Sequence, residues 1–246
     1  MNGNAQLAFL DKILALRKQV WPDFIRMPDE TVSKIYSLFP DFQISLVNSD
    51  NEVIGIANAL PLHWNSALQA LPAEGVSWAI HTGILEHENR HLANTLCAIS
   101  ITVEKSYRNK GISKRLLEHL KHISSTKKFS KMIVPVRPNL KNVYPLSSID
   151  DYIHWKNKEG VIFDPWLRTH IQLGAEIIGV CHDSARVIAS IDQWEQWTGI
   201  AFPSEGEYVI KNGLTPLQID VKNNRGTYIE PNIWVAYRFN NTEISE

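Results

Sequence analysis

The stretch "ITVEKSYRNKGISKRLLEHL", residues 101–120, constrains this chain more than any other. A β-branched apolar run gives way to a basic loop, a glycine follows, and Leu116, Leu117 and Leu120 then recur at helical spacing. A helix N-terminus presents unpaired backbone N–H groups and a partial positive charge, so it binds anions where the chain lets them approach. Gly111 allows that approach because it has no Cβ. Arg108 and Lys110 add charge-assisted contacts. The assembly suits a phosphate, and a plain charged turn is the competing reading of the same residues.

The surrounding pattern fixes the fold class. Residues 5–20 and roughly 30–38 are expected to be helices, with Asp29 of "PDETVSK" as a cap for the second. "FQISLVNSDNEVIGIANAL" reads as a hairpin turning at "NSDNE". Trp78, Ile80, Ile84 and Leu85 form a helical stripe, "TLCAISITVEK" a continuous apolar strand, "SKRLLEHLKHI" a helix and "MIVPVRP" a short buried strand. This order predicts a mixed α/β sheet with antiparallel hairpins and at least one crossover. After Pro138, prolines and aromatics cluster, yet no linker, repeat or low-complexity tract intervenes. One domain over 1–246 is therefore expected, with halves at 5–138 and 139–240.

Composition narrows the function. Net charge is -1 over 246 residues, so no overall field recruits nucleic acid or an anionic membrane. Between Val103 and Lys131, however, nine basic residues face two acidic ones, which favours an anionic ligand there. That stretch has only Tyr107 and Phe129 interleaved, too few aromatics for a nucleic-acid platform. Cys97 and Cys181 form no CxxC unit and read as buried thiols of a cytoplasmic protein. No apolar run reaches membrane-spanning length, and the N-terminal residues read as an amphipathic helix without the basic start of a signal peptide.

"ITVEKSYRNKGISKRLL" resembles the acetyl-CoA-binding segment of the GNAT N-acetyltransferase superfamily, a strand ending in Val followed by R/Q-x-x-G-x-G/A at the start of the central helix. Val103, Arg108 and Gly111 match it, and Ser113 replaces the last small residue. The resemblance implies a GNAT-like acyl-CoA N-acyltransferase fold with an elongated C-terminal half. It implies that Ile101, Thr102 and Val103 bind pantetheine through the backbone, and that Asn109, Lys110, Gly111, Ile112 and Ser113 hold the pyrophosphate beside Arg108. "MIVPVRPN" would splay away to open the cleft. "FDPWLRTHIQLGAEII", "WEQWTG" and "YIEPNIWV" resemble a branch found as GNAT-like domains of polyketide loading modules. There a Trp, a Thr and a His are implicated in decarboxylation and acyl transfer to a carrier-protein thiol. His170 and Trp64 carry over, the Thr has no matching counterpart, and Asn139 stands in its place if it belongs in the "VRP" segment.

Three functions follow as expectations. The first is transfer from acetyl-CoA or another short acyl-CoA to a small-molecule amine or an acyl-carrier-protein thiol. The second is decarboxylation of a malonyl-type thioester, and the third is acyl-CoA binding without catalysis. His170 titrates in the range of a general base and shares a helix face with Trp166. Asp164 caps that helix with Pro165 first, and Arg168 is left to pair with a carboxylate or a phosphate. Tyr144 and Tyr152 are candidate acids, and Trp155, Trp166, Trp194, Trp197 and Trp234 read as core aromatics. "HENRH", residues 87–91, is formally H-E-x-x-H, but it is polar, ends a helix and lacks a third ligand, so no metal is expected. The sequence sets neither the acceptor nor the oligomeric state.

Overall fold

The computed structural model describes residues 8–239. Helices α1 (Leu10–Val20) and α2 (Asp29–Leu38) lead into the hairpin β1 (Gln43–Val47) and β2 (Val53–Leu62). Then come α3 (Gly75–Glu88), β3 (Thr95–Val103), α4 (Ile112–Thr126) and β4 (Lys131–Val136). The remainder holds α5 (Ile149–Tyr152), α6 (Pro165–Gln172), β5 (Glu176–Ala189), α7 (Ile191–Thr198), β6 (Gly206–Tyr208), β7 (Leu217–Asp220) and β8 (Arg225–Arg238). The expected mixed sheet is present: eight strands, in the order β1-β2-β3-β4-β8-β7-β6, with β5 on the other edge of β8. Residues 5–7 of the expected first helix, and residue 240 of the C-terminal half, lie outside the described residues.

All neighbours are antiparallel except β3 and β4. That parallel pair is held by α4 as a crossover, as the alternation of strand and helix requires. It is also short. Only Thr95, Leu96 and Cys97 find partners on β4, at Lys131, Met132 and Ile133, and the strands then separate.

Period-2 alternation sends the two sides of β4 and β8 into different cores. Met132, Val134, Val136, Ile233, Val235 and Tyr237 pack under α4 and α6. Ile133, Trp234 and Ala236 pack with Leu60, Leu62 and Ala79 on the opposite face. Helix α4 presents Ile112, Leu116, Leu117 and Leu120 to the first core, each buried. Burying each of those leucines stabilises by roughly 1.5–3 kcal/mol. Gly55 on β2 sets the helix's distance from the sheet. A Cβ there would lie 3.1 Å from Ile112 Cγ2 and 3.3 Å from Leu116 Cδ1.

Two capping expectations separate here. Asp164 caps α6, accepting from the Trp166 and Leu167 amides at 2.9 and 3.0 Å. Asp29 does not cap α2. Pro28 occupies the cap position and Asp29 is the first helical residue, its carboxylate 3.0 Å from Lys18 Nζ. An acidic side chain in the first turn still favours the helix dipole, which is why the sequence signal looks the same. Cys97 and Cys181 are both free and buried, and burial pushes both thiols up.

Candidate active site

The separation of β3 and β4 leaves backbone groups on the facing edge of β3 without a strand partner from Ala98 onward. A cleft of about 540 Å³ fills that gap. Ile101, Thr102, Val103, Arg108, Asn109, Ile112, Ser113, Asn139 and His170 line it, together with Pro135 and Trp166. A register shift adds to the opening: Asn58 faces Ser100 and Ala59 faces Ala98, so Ile99 is one residue too many for β2. Such a bulge bends the strand and leaves a backbone group unpaired.

At the mouth of this cleft, Gly111 is left-handed, with φ 73°, and nothing lies within 4 Å of where its Cβ would be. Asn109 is also left-handed, φ 61°. Among the described residues, no carbonyl accepts from the amides of residues 109–113. These are the donors an anion needs, and they are open. Arg108 reaches back to the Val103 carbonyl at 3.4 Å. Lys110 is not part of the lining; its ammonium sits 5.0 Å from the centroid of the Tyr107 ring.

A second, larger cleft of about 840 Å³ opens on the other side of the sheet, between α1, α2, α3 and β5. Ile80 and Ile84 of the predicted helical stripe are half-buried, packing against the core of Ile133 and Trp234 and lining this cleft, and Leu85 is exposed. Trp21, Ile99, Ser100, Pro135 and Arg137 border both clefts. The two spaces therefore meet where β3 and β4 part. Trp21 Nε1 donates to Thr102 Oγ1 at 2.8 Å there. Ser100 Oγ donates to Asn58 Oδ1 at 2.9 Å, and Asn58 Nδ2 in turn donates to the Tyr36 hydroxyl at 2.9 Å. Arg137 is fixed by Glu230, Nε to Oε1 at 2.8 Å, and by the Asn212 carbonyl at 2.7 Å.

His170 is fully buried, with Nδ1 2.8 Å from the Tyr237 hydroxyl and its ring 4.5 Å from that of Trp166. Burial pulls it down to about 3, which corrects the expectation that it titrates near neutrality. At neutral pH it is an uncharged and weak base. Trp64 borders neither cleft. It packs edge-on against Trp78 in the core of Ile133 and Trp234, the face of β8 opposite Tyr237. Trp64 and His170 thus lie across the sheet from one another. The alternation along β8 is the physical reason they cannot meet.

Other candidates resolve as structure. Arg168 donates to the Ile162 carbonyl at 2.7 Å rather than to an acid or a phosphate. The Tyr152 hydroxyl is buried and donates to Asp164 Oδ2 at 2.9 Å; burial and that carboxylate push it up, so it is a poor acid. Of the five tryptophans read as core, Trp194 and Trp234 are and Trp155 packs half-buried against the first core, whereas Trp166 and Trp197 line the two clefts. Helix α3 ends at Glu88 and Arg90 is left-handed, so His87 and His91 do not share the helical turn an H-E-x-x-H site needs. The sequence reading missed Trp21, Ser100, Arg137, Glu230 and Arg17. Arg17 had a signal, as a cation where the period of Ile13 and Leu16 calls for an apolar residue.

A sheet split between parallel neighbours, with open helix amides at the split, defines an acyltransferase of the GNAT type. Residues 11–146 match the Acetyltransferase (GNAT) family, and the chain belongs to it. It is similar to "Arginine N-acetyltransferase avaD" of Aspergillus versicolor, 29% identical over 250 residues, covering 89% of this chain and 85% of the relative. Its fold is similar to that of the loading GNATL domain of CurA from Lyngbya majuscula, with TM-score 0.61 and 17% identity, covering 94% of each chain. The GphF GNAT-like decarboxylase, solved in complex with isobutyryl-CoA, matches as well, with TM-score 0.61 and 16% identity over 94% and 95% of the two chains. Among the described residues no helix is long and apolar enough to cross a membrane.

Proposed function

We propose that this enzyme transfers an acetyl group from acetyl-CoA to an amine of a small molecule. The observation that carries the reading is the junction at Ser100 and Pro135, where a cleft with anion-binding amides at its mouth opens into a second cleft. The open amides of residues 109–113, the bare Cα of Gly111 and the Arg108 side chain fit the diphosphate of coenzyme A. The unpaired edge of β3 at Ile101–Val103 fits its pantetheine amides. The named relative's action on an amine supports an amine as acceptor.

When bound, acetyl-CoA supplies a thioester carbonyl; the amine forms the new N–C bond, the C–S bond breaks, and the amine's proton ends on the departing thiol. The chain orients and stabilises. N–H groups on the free edge near the Ile99 bulge are placed to donate to negative charge growing on the carbonyl oxygen. Ser100, held by Asn58, stands at the junction beside the reacting amine of this reading. His170, neutral and walled by Trp166 and Tyr237, shapes the cleft without serving as its base. This reading treats 1–246 as one domain, with coenzyme and acceptor on either side of β3.

Malonyl-thioester decarboxylation is disfavoured, because Trp64 and His170 are on opposite faces and Asn139 has no hydroxyl. The test is thiol release and product mass with acetyl-CoA and a panel of amines, beside malonyl-CoA alone. Acetylated amine with malonyl-CoA unchanged is the expected result. No acetylation of any amine defeats it.

A further inference from the structure

Among the described residues, one cation lining the larger cleft has no carboxylate partner. Arg17, on α1, borders that cleft and is 2% exposed. Its Nε has no hydrogen-bond partner, and among the described residues no carboxylate pairs with its guanidinium. Tyr36 and then Asp29 act favourably on it, but Asp29 is engaged with Lys18 at 3.0 Å, and Arg26 repels it. The other cations around the cleft are all matched: Arg26 with Asp23, Lys34 with Glu88 at 2.9 Å, Arg137 with Glu230 at 2.8 Å, and Arg186 with Asp183. Burying a charge without a partner is costly, and a structural role would have supplied one. The missing partner is an anion that enters with a ligand.

The geometry points to an acceptor that carries a carboxylate close to its amine, an amino acid, with Arg17 as the group that receives the carboxylate. This rests on the acetyl-transfer reading above. A planar guanidinium takes the two oxygens of a carboxylate side by side. Trp21, at the junction where an amine must sit, is one helical turn from Arg17, about 6 Å along the axis. An amine and a carboxylate separated by one to a few carbons span that offset. Asn232, 3% exposed on the same cleft, has no side-chain partner among the described residues and offers a second polar contact. Phe24, Ile80, Ile84 and Trp197 add apolar and aromatic surface to a wall that also carries paired charges, and about 840 Å³ accommodates a long side chain.

The test compares each amino acid with its decarboxylated amine, arginine with agmatine and phenylalanine with phenethylamine, using acetyl-CoA and the wild type, Arg17→Met and Arg17→Lys. In the wild type the amino acid of at least one pair is favoured by about 100-fold in kcat/KM. The preference falls to near one in Arg17→Met and is partly restored in Arg17→Lys, with the KM for acetyl-CoA unchanged. Arg17→Met melts at or above the wild-type temperature, because an unpaired buried charge has gone; a purely structural arginine would give the reverse. A wild-type ratio near one for both pairs overturns the inference without any variant. So does a ratio that survives Arg17→Met. If no amine is acetylated, the activity reading fails separately. Arg17 is then judged by thermal shift with the same amino acids: a shift lost in Arg17→Met sustains the carboxylate site, and no shift in the wild type overturns it.

Discussion

Trp21 Nε1 donates to Thr102 Oγ1 at 2.8 Å, joining the end of α1 to the free edge of β3. The bond closes one side of the junction between the two clefts, since Trp21 borders both and Thr102 is 1% exposed. Trp21→Phe keeps the ring and removes the donor. Stability should fall by about 1 kcal/mol, seen as a lower urea midpoint at constant slope. Because positioning errors are amplified in transfer reactions, kcat should fall about 10-fold or more with little change in acetyl-CoA binding. An unaltered kcat in a steady-state assay would show that the indole N–H does not position the junction.

Gly111 occupies a left-handed backbone position at the start of α4. Nothing blocks a Cβ there, so Gly111→Ala isolates the backbone term. The cost of that conformation for alanine is about 1–2 kcal/mol. The loop escapes the strain by moving its amides, so coenzyme A binding should weaken about 10-fold by isothermal titration while the sheet stays intact by circular dichroism. Equal affinity in the variant would remove these amides from the binding site.

His170 is neutral in the fold, its value pulled down to about 3 by burial, against about 6.5 in an unfolded chain. Between those values the unfolded state binds the extra proton. The stability that neutral His170 contributes is therefore complete above pH 6.5 and is lost as the pH falls toward 3. His170→Gln should flatten the acid side of a Tm-against-pH curve relative to the wild type. The acid limb of kcat/KM should stay where it is. A displaced limb in the variant would make His170 a titrating catalyst after all.

Glu230 is 3% exposed and accepts from Arg137 and from the Tyr228 hydroxyl at 2.8 Å. Glu230→Gln leaves the Arg137 charge uncompensated at the point where both clefts meet. A loss of about 3 kcal/mol in guanidinium unfolding is expected, since breaking one side of a buried pair strands the other. Replacing both partners, Arg137→Met with Glu230→Leu, should recover most of it. If the double variant is no better than the single one, the pair is not the source of the loss.

Local regularities were legible without coordinates. The hairpin at "NSDNE", the cap of Asp164 and the crossover through residues 112–126 each rest on contacts within a few residues, or on one unbroken period. The failures share a cause. His170 and Trp64 looked alike as candidates, but which face of the sheet each reaches depends on the alternation of β8, which starts at Arg225, 161 residues after Trp64. Arg168 looked like a free cation because the carbonyl of Ile162 that it meets is supplied by the turn before its own helix.

Residue types and their spacing determined, without help, that this chain builds a mixed sheet and starts a helix at a glycine after β3. Those are properties of short segments, where propensity, glycine freedom and charge act locally. Tertiary structure decided how far β3 and β4 stay paired, that a second cleft meets the first at Ser100, and that Arg17 stands buried without a partner. Burial and pairing are sums over residues distant in sequence, so their outcome exists only once the whole sheet has closed around them.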